Sequence, residues 1–236
     1  MQVAAMKHRS TNQNPKCDPH DAKRIVVVDD HPLFRKGLAE LIHSEDNLAV
    51  CGEADNAAEA MDVIRKLNPE LVIVDLSLPG ANGIELIKNI RAEFANLPIL
   101  VLSMHDESLY ALRALRAGAE GYVMKHEAMA NVIHAIHEVF NGRPYLSPAM
   151  AAQVITKFAH RESENETDAV ERLSDRELEI LELIGKGKDV RDIAKLLHLS
   201  PKTVETHRSH IKDKLDLKNS REVARFALQW LSTRGG

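Results

Sequence analysis

The sequence predicts two domains of different class: a doubly wound α/β domain with five parallel strands, then a smaller all-α domain. Three observations carry this prediction. At 236 residues the chain is long enough for two ordinary domains. Short apolar runs alternate five times with helical patterns as far as Asn141–Gly142, and only helical patterns follow. The net charge of −4 is also divided unevenly. Residues 1–169 carry 17 basic and 24 acidic side chains, whereas residues 170–236 carry 14 and 11. Such a contrast marks the second half as a candidate for binding a polyanion.

The elements of the first half follow in order. RIVVVDD is a β-branched run of strand length, followed by Leu33, Phe34, Gly37, Leu38, Leu41 and Ile42 at helical spacing. LAVCGEA then precedes a helix near 56–67, and LVIVDL one near 83–94. PILVLS precedes a helix near 107–117, and EGYVMK one near 127–140. Strands that are apolar throughout belong in a sheet covered on both faces. Five strand-then-helix units therefore predict a flavodoxin-like arrangement.

Residues 142–171 read as a linker, helical in part, because RESENETDAVE is acidic and without periodicity. Beyond it, Ser174 and Glu177 form a capping box, and Gly185 or Gly187 ends that helix. A second helix carries Val190, Ile193, Ala194 and Leu197. Ser200 and Pro201 start a third, whose inward stripe is Val204, His207, Ile211 and Leu215. A fourth runs from about Ser220 to Leu231. Two short helices joined by HLSPK into a longer basic one is the helix-turn-helix arrangement.

Ligands of open α/β sheets bind beyond the carboxyl ends of the strands. Asp29 and Asp30 end the first strand and Asp75 the third; Ser103 ends the fourth, and Lys125 follows the fifth. Three clustered carboxylates need a cation, and hard oxygen donors suit Mg²⁺. A carboxylate beside such an ion can take a phosphoryl group as an aspartyl-phosphate. The metal and a lysine would neutralise the charge on the transferred oxygens.

VVVDDHPLFRKGL, IVDLSLPGANGIEL, ILVLSMHDE and GYVMK together resemble the receiver domain of NarL/FixJ-type two-component response regulators. The resemblance implies that Asp75 is the phosphoacceptor and that Asp30 binds Mg²⁺ directly. Asp29 would act through water, and the Ser77 carbonyl would add a ligand. Ser103 and Lys125 would sense the phosphoryl group, with Tyr122 as the aromatic switch. His105 and Ser77 stand where receivers tune dephosphorylation. His31 is accounted for as a helix-start residue of the DDHP motif.

The segment from Leu173 to Asn219, with KTVETHRSHIKDKL at its centre, resembles the LuxR-type DNA-binding domain. Successive 100° steps from Val204 place Lys202, Thr206, Ser209 and Asp213 opposite the inward stripe. The resemblance implies base-edge contacts for Glu205, Thr206 and Ser209 in the major groove. Lys202, Thr203, Arg208, Lys212 and Lys214 are expected to contact phosphates. Some family members carry lysine where this chain has Glu205 and Ser209, so the resemblance implies no particular site preference. Dimerisation through the last helix, around Val223–Leu231, is a further implication, because one small domain reads one half-site; the apolar residues there could equally be core.

The expected organisation is thus a disordered extension over 1–22, a receiver over 23–141, a linker over 142–171 and a DNA-binding domain over 172–236. Expected partners are double-stranded DNA, a histidine kinase or phosphotransfer protein, and a second copy of the chain. No run of about 18 apolar residues predicts a membrane span, and the first residues do not read as a secretory signal. Two cysteines fit a reducing cytoplasm. Cys17 and His20 have ligand-like spacing but no second pair beside them. A phosphohydrolase would need a carboxylate two residues beyond its nucleophile; Ser77 stands there, so no enzymatic turnover of an external substrate is expected. A factor that uses its receiver only to dimerise would not need Asp30, Asp75, Ser103 and Lys125 together. In the resting state the receiver is expected to cover the recognition helix, and phosphorylation to release it through Ser103 and Tyr122.

Overall fold

The computed structural model describes residues 22–159 and 166–233. The amino-terminal extension with Cys17 and His20, and the middle of the linker, lie outside the described residues. In chain order the first domain runs β1 (Lys23–Val28), α1 (Pro32–His43), β2 (Leu48–Ala54), α2 (Ala57–Leu67), β3 (Leu71–Val74), β4 (Ser77–Leu78), β5 (Ala81–Asn82), α3 (Gly83–Glu93), β6 (Ile99–Ser103), α4 (Glu107–Ala117), β7 (Gly121–Met124) and α5 (Ala128–Phe140). Five strands form one sheet in the order β2-β1-β3-β6-β7, every pairing parallel. The two-residue strands β4 and β5 form a small antiparallel hairpin, which was not expected. Its turn needs Gly80, whose φ is +71°.

Alternation along β1 explains why both faces are apolar. Ile25 and Val27 point into one core with Leu38, Ile42 and Val132, while Val26 and Val28 point into the other with Ile64, Ile87 and Tyr110. Side-chain caps hold the helix starts: Asn56 for α2, Asn82 for α3 and Asp106 for α4. The chain leaves β1 for β2 on one side and returns to β3 on the other. The sheet's switch point is therefore the crevice between the carboxyl ends of β1 and β3. Their register pairs Val28 with Val74, so Asp29 and Asp75 come next, side by side.

The linker contributes α6 (Pro148–Ala159), which packs on α4, and α7 (Glu166–Glu171). The second domain is α8 (Asp175–Gly185), α9 (Val190–Leu196), α10 (Pro201–Lys214) and α11 (Ser220–Ser232). The expected capping box is present, with Ser174 and Glu177 bonding reciprocally. Gly185 ends α8 and also lets α11 approach, since a Cβ there would lie 2.5 Å from Leu231 Cδ1 and 2.7 Å from Ala227 O. Val223, Ala227 and Trp230 pack inward on α11, while Leu228 is 62% exposed. Most of the stripe read as a pairing surface is thus core, because α8 needs an apolar partner of its own.

Candidate functional site

The pocket at the switch point is built around one buried lysine. Lys125 Nζ lies 2.7 Å from Asp29 Oδ2 and 2.7 Å from Asp75 Oδ2. All three side chains are almost fully buried. The Phe34 ring sits 4.7 Å from the same ammonium. Asp29 Oδ1 accepts from His31 N at 2.8 Å, and Asp75 Oδ1 accepts from Ser77 N at 3.2 Å. Burial pushes the Asp75 carboxyl up, against the lowering pull of Lys125. Burial pulls Lys125 down, but Asp75 and Asp29 outweigh it, so its pKa is raised.

Asp30 completes the acidic set. One ligand atom from each of Asp29, Asp30, His31 and Asp75 lies within 4.8 Å of the others. Among the described residues, Asp30 Oδ1 is buried without a hydrogen-bond partner. His31 Nδ1 lies 2.6 Å from it as an ion-pair contact, with no hydrogen bond between them. A buried anionic oxygen lacking a donor is what a hard cation satisfies, so this pocket fits Mg²⁺. The single lysine leaves two carboxylates' worth of charge uncompensated.

Ser103 and Tyr122 are also buried here. Ser103 Oγ accepts from His105 N at 3.1 Å, and the Tyr122 hydroxyl donates to His105 O at 2.9 Å. Tyr122 therefore already faces inward. On the rim, Ser77 Oγ is 3.0 Å from His105 Nε2, whose Nδ1 is 3.4 Å from Glu182 Oε2 on α8. Tyr110 donates to the same oxygen at 3.1 Å, and Lys186 Nζ reaches Glu182 Oε1 at 2.5 Å. A cleft of about 350 Å³ lies between the halves, lined by Asp30, His31, Ser77 and His105 on one side and by Glu182 and Lys186 on the other. Arg113 on α4 adds bonds to Val170 O, Leu173 O and Asp175 Oδ1, and Lys88 adds an ion pair to Asp175. The receiver-like half thus docks on α8 and on the segment before it.

That arrangement corrects the expectation that the recognition helix is covered. On α10, Lys202, Glu205, Thr206, Ser209 and Asp213 are exposed, while Val204 and Ile211 are buried. No α10 residue lines the cleft. The helix starts where Ser200 accepts from Thr203 N at 3.0 Å, and Thr203 Oγ1 is 2.8 Å from Ser200 Oγ. Several expected phosphate-binding cations have carboxylate neighbours. Arg208 pairs with Glu205 at 3.1 Å, Lys212 with Asp213 at 3.2 Å and Lys214 with Glu177 at 2.6 Å. Burial lowers the pKa of His207, which lies half-buried beside the stripe.

Sequence reasoning missed Glu182, Tyr110 and Arg113, whose partners are 57 to 77 residues away. No local spacing signals such pairs. It also missed Gly83, where a Cβ would fall into the backbone of Asp75 and Leu76. Its place at the start of the helix expected near 83–94 was the only clue, and it does not reveal how closely the backbone approaches.

Comparison with known proteins agrees with this geometry. The description "Response regulator receiver domain" matches residues 25–137, and "Bacterial regulatory proteins, luxR family" matches residues 171–227. The oxygen regulatory protein NreC of Staphylococcus carnosus is 35% identical over 210 residues, which span 87% of this chain and 97% of that protein. A LuxR-family two-component response regulator from Aurantimonas is 39% identical, with a TM-score of 0.55 over 59% of this chain and 99% of its own. RcsB from Salmonella enterica serovar Typhimurium, solved bound to promoter rprA with the phosphomimetic BeF3⁻, is 27% identical. It covers 87% of this chain and 98% of its own, with a TM-score of 0.59. No helix among the described residues is long and apolar enough to cross a membrane.

Proposed function

The chain belongs to the response regulators that join a receiver to a LuxR-type DNA-binding domain, and from that premise we propose that Asp75 is its phosphoacceptor and α10 its DNA-reading helix. The observation that carries the first assignment is the Lys125 ammonium shared between Asp29 and Asp75, beside an Asp30 Oδ1 that has no hydrogen-bond partner among the described residues. Asp29, Asp30, Asp75 and the Ser77 carbonyl would hold Mg²⁺, which neutralises phosphoryl oxygens when bound. An Asp75 carboxylate oxygen forms the new O–P bond as the P–N bond of a phosphohistidine breaks. Lys125 then turns from carboxylate partner to phosphoryl partner, and Ser103 supplies a hydroxyl donor. The phosphodonor is a histidine kinase or a phosphotransfer protein.

On DNA, Glu205, Thr206 and Ser209 project from the exposed face and are assigned to base edges. Lys202, Thr203, Arg208, Lys212 and Lys214 are assigned to phosphates. Two copies would bind the two half-sites of an operator, as a homodimer. Communication runs through the docked face: a phosphoryl group beside Ser77 displaces the Ser77–His105 bond and with it the His105–Glu182 contact. The halves then separate and leave each free to pair. Because α10 is exposed in the docked form, phosphorylation controls pairing rather than uncovering the helix.

The test is Mg²⁺-dependent labelling of the full chain with acetyl phosphate, followed by titration with promoter DNA. Labelling should vanish in Asp75→Ala, and the labelled chain should bind a two-half-site operator more tightly. Full labelling of Asp75→Ala would remove the assignment. Equal operator binding with and without label would leave the receiver as a scaffold only.

A further inference from the structure

Away from the acidic pocket, a second group of ligand-type side chains meets where α10 crosses α8. One ligand atom each from Glu177, His207 and His210 lies within 4.8 Å of the others. Glu177 comes from the first turn of α8, and the two histidines are three residues apart on α10, hence on one flank of that helix. Glu177 is 3% exposed. Its Oε2 accepts from Ser174 N at 2.7 Å and from Lys214 Nζ at 2.6 Å. Its other oxygen, Oε1, faces His210 Nδ1 at 3.6 Å.

The helix cap and the lysine pair account for Glu177, but not for the imidazoles. Among the described residues His207 Nδ1 is buried with no hydrogen-bond partner, which is costly for a ring nitrogen unless something else occupies it. The two rings stand at 88° to each other, with centroids 6.4 Å apart, so they do not stack. Two imidazoles and one carboxylate oxygen suit a borderline divalent ion such as Zn²⁺, Ni²⁺ or Co²⁺, with water in the fourth position. The pocket at Asp75, with three carboxylates and one imidazole at its edge, favours a hard cation instead.

We propose that Glu177, His207 and His210 form a site for a divalent transition metal that ties the recognition helix to α8. The ion occupies Glu177 Oε1, and its charge beside the Lys214 ammonium weakens the ion pair at Oε2, freeing that ammonium for the DNA backbone. The outward residues Glu205, Thr206 and Ser209 take no part, so base contacts stay open. Metal loading should therefore tighten DNA binding and add about one phosphate contact to its salt dependence. The DNA effect rests on the assignment of α10 to DNA; the metal site does not.

The test uses the untagged full chain with excess Mg²⁺ to fill the oxygen pocket. Co²⁺ is titrated and followed by visible absorption, with Zn²⁺ as competitor. One Co²⁺ per chain, in a four-coordinate spectrum and displaced by Zn²⁺, is expected. His210 is more than half exposed, so His210→Ala should fold normally and bind at least about tenfold more weakly. Lys214→Met should bind more tightly, because the ammonium that repels the ion is gone; a purely structural role for the cluster would not produce that gain. Equal Co²⁺ affinity in the natural chain and His210→Ala, or no uptake at all, overturns the site. Metal uptake without any DNA binding would instead overturn the assignment of α10.

Discussion

Single residues carry most of the chemistry at the switch point. Burial pushes the Asp75 carboxyl up, and the same carboxylates pull Lys125 up despite its own burial. Each charge is tolerated only because the other is present. Lys125→Met should leave Asp29 and Asp75 facing each other. We expect a loss of about 3–5 kcal/mol in urea unfolding without divalent ions. Millimolar Mg²⁺ should recover part of that loss, because an ion can replace the missing ammonium; no recovery would argue against a cation site here. The carboxylates, Ser103 and Lys125 were legible in the sequence because each follows a strand of known direction. Gly83 was not, because its role depends on how closely α3 approaches the backbone of Asp75.

At the scale of elements, α8 has two tasks. Its amino end is held by the Ser174–Glu177 capping box, and its middle presents Glu182 to the receiver. Ser174→Ala should cost about 1 kcal/mol of stability, measured by denaturant midpoint at constant slope. Glu182 would be raised by burial alone, but His105 and Lys186 bring its pKa down to about 2 from 4.5. A carboxyl depressed in the folded state adds stability that is complete above its unfolded pKa. That stability is lost as pH falls through the folded value. The docked form should therefore weaken between pH 4.5 and about 2. Glu182→Gln should flatten that limb in thermal melts; an unchanged acid limb would show that the His105 and Lys186 contacts add nothing. The capping box was readable from S-x-x-E, whereas the docking role of Glu182 was not, since charged residues on a helix face usually meet water.

For the whole molecule, the decisive feature is which face of the DNA-binding domain meets the receiver. Arg113, Tyr110, His105 and Lys88 grip α8 and the chain before it, leaving the outward face of α10 in solvent. A single half-site should therefore bind the unphosphorylated full chain and residues 166–236 with equal affinity in fluorescence anisotropy. A two-half-site operator should separate them once Asp75 is labelled. A much weaker full chain on the single half-site would mean that docking obstructs DNA after all, through the backbone rather than through α10.

The sequence by itself determined the strand–helix alternation, the strand-end acids with their lysine, and the orientation of α10. Each of these follows from local periodicity, from caps within three residues, or from a strand's direction. Tertiary structure alone decided three things. Val223, Ala227 and Trp230 of α11 became core because α8 needed an apolar partner, while Leu228 stayed exposed. Lys214 was tied to Glu177 across a helix crossing. The receiver settled on α8 rather than on α10 through bonds spanning 57 to 87 residues. Pairings at such separations depend on where folded surfaces meet, and no periodicity along the chain encodes that.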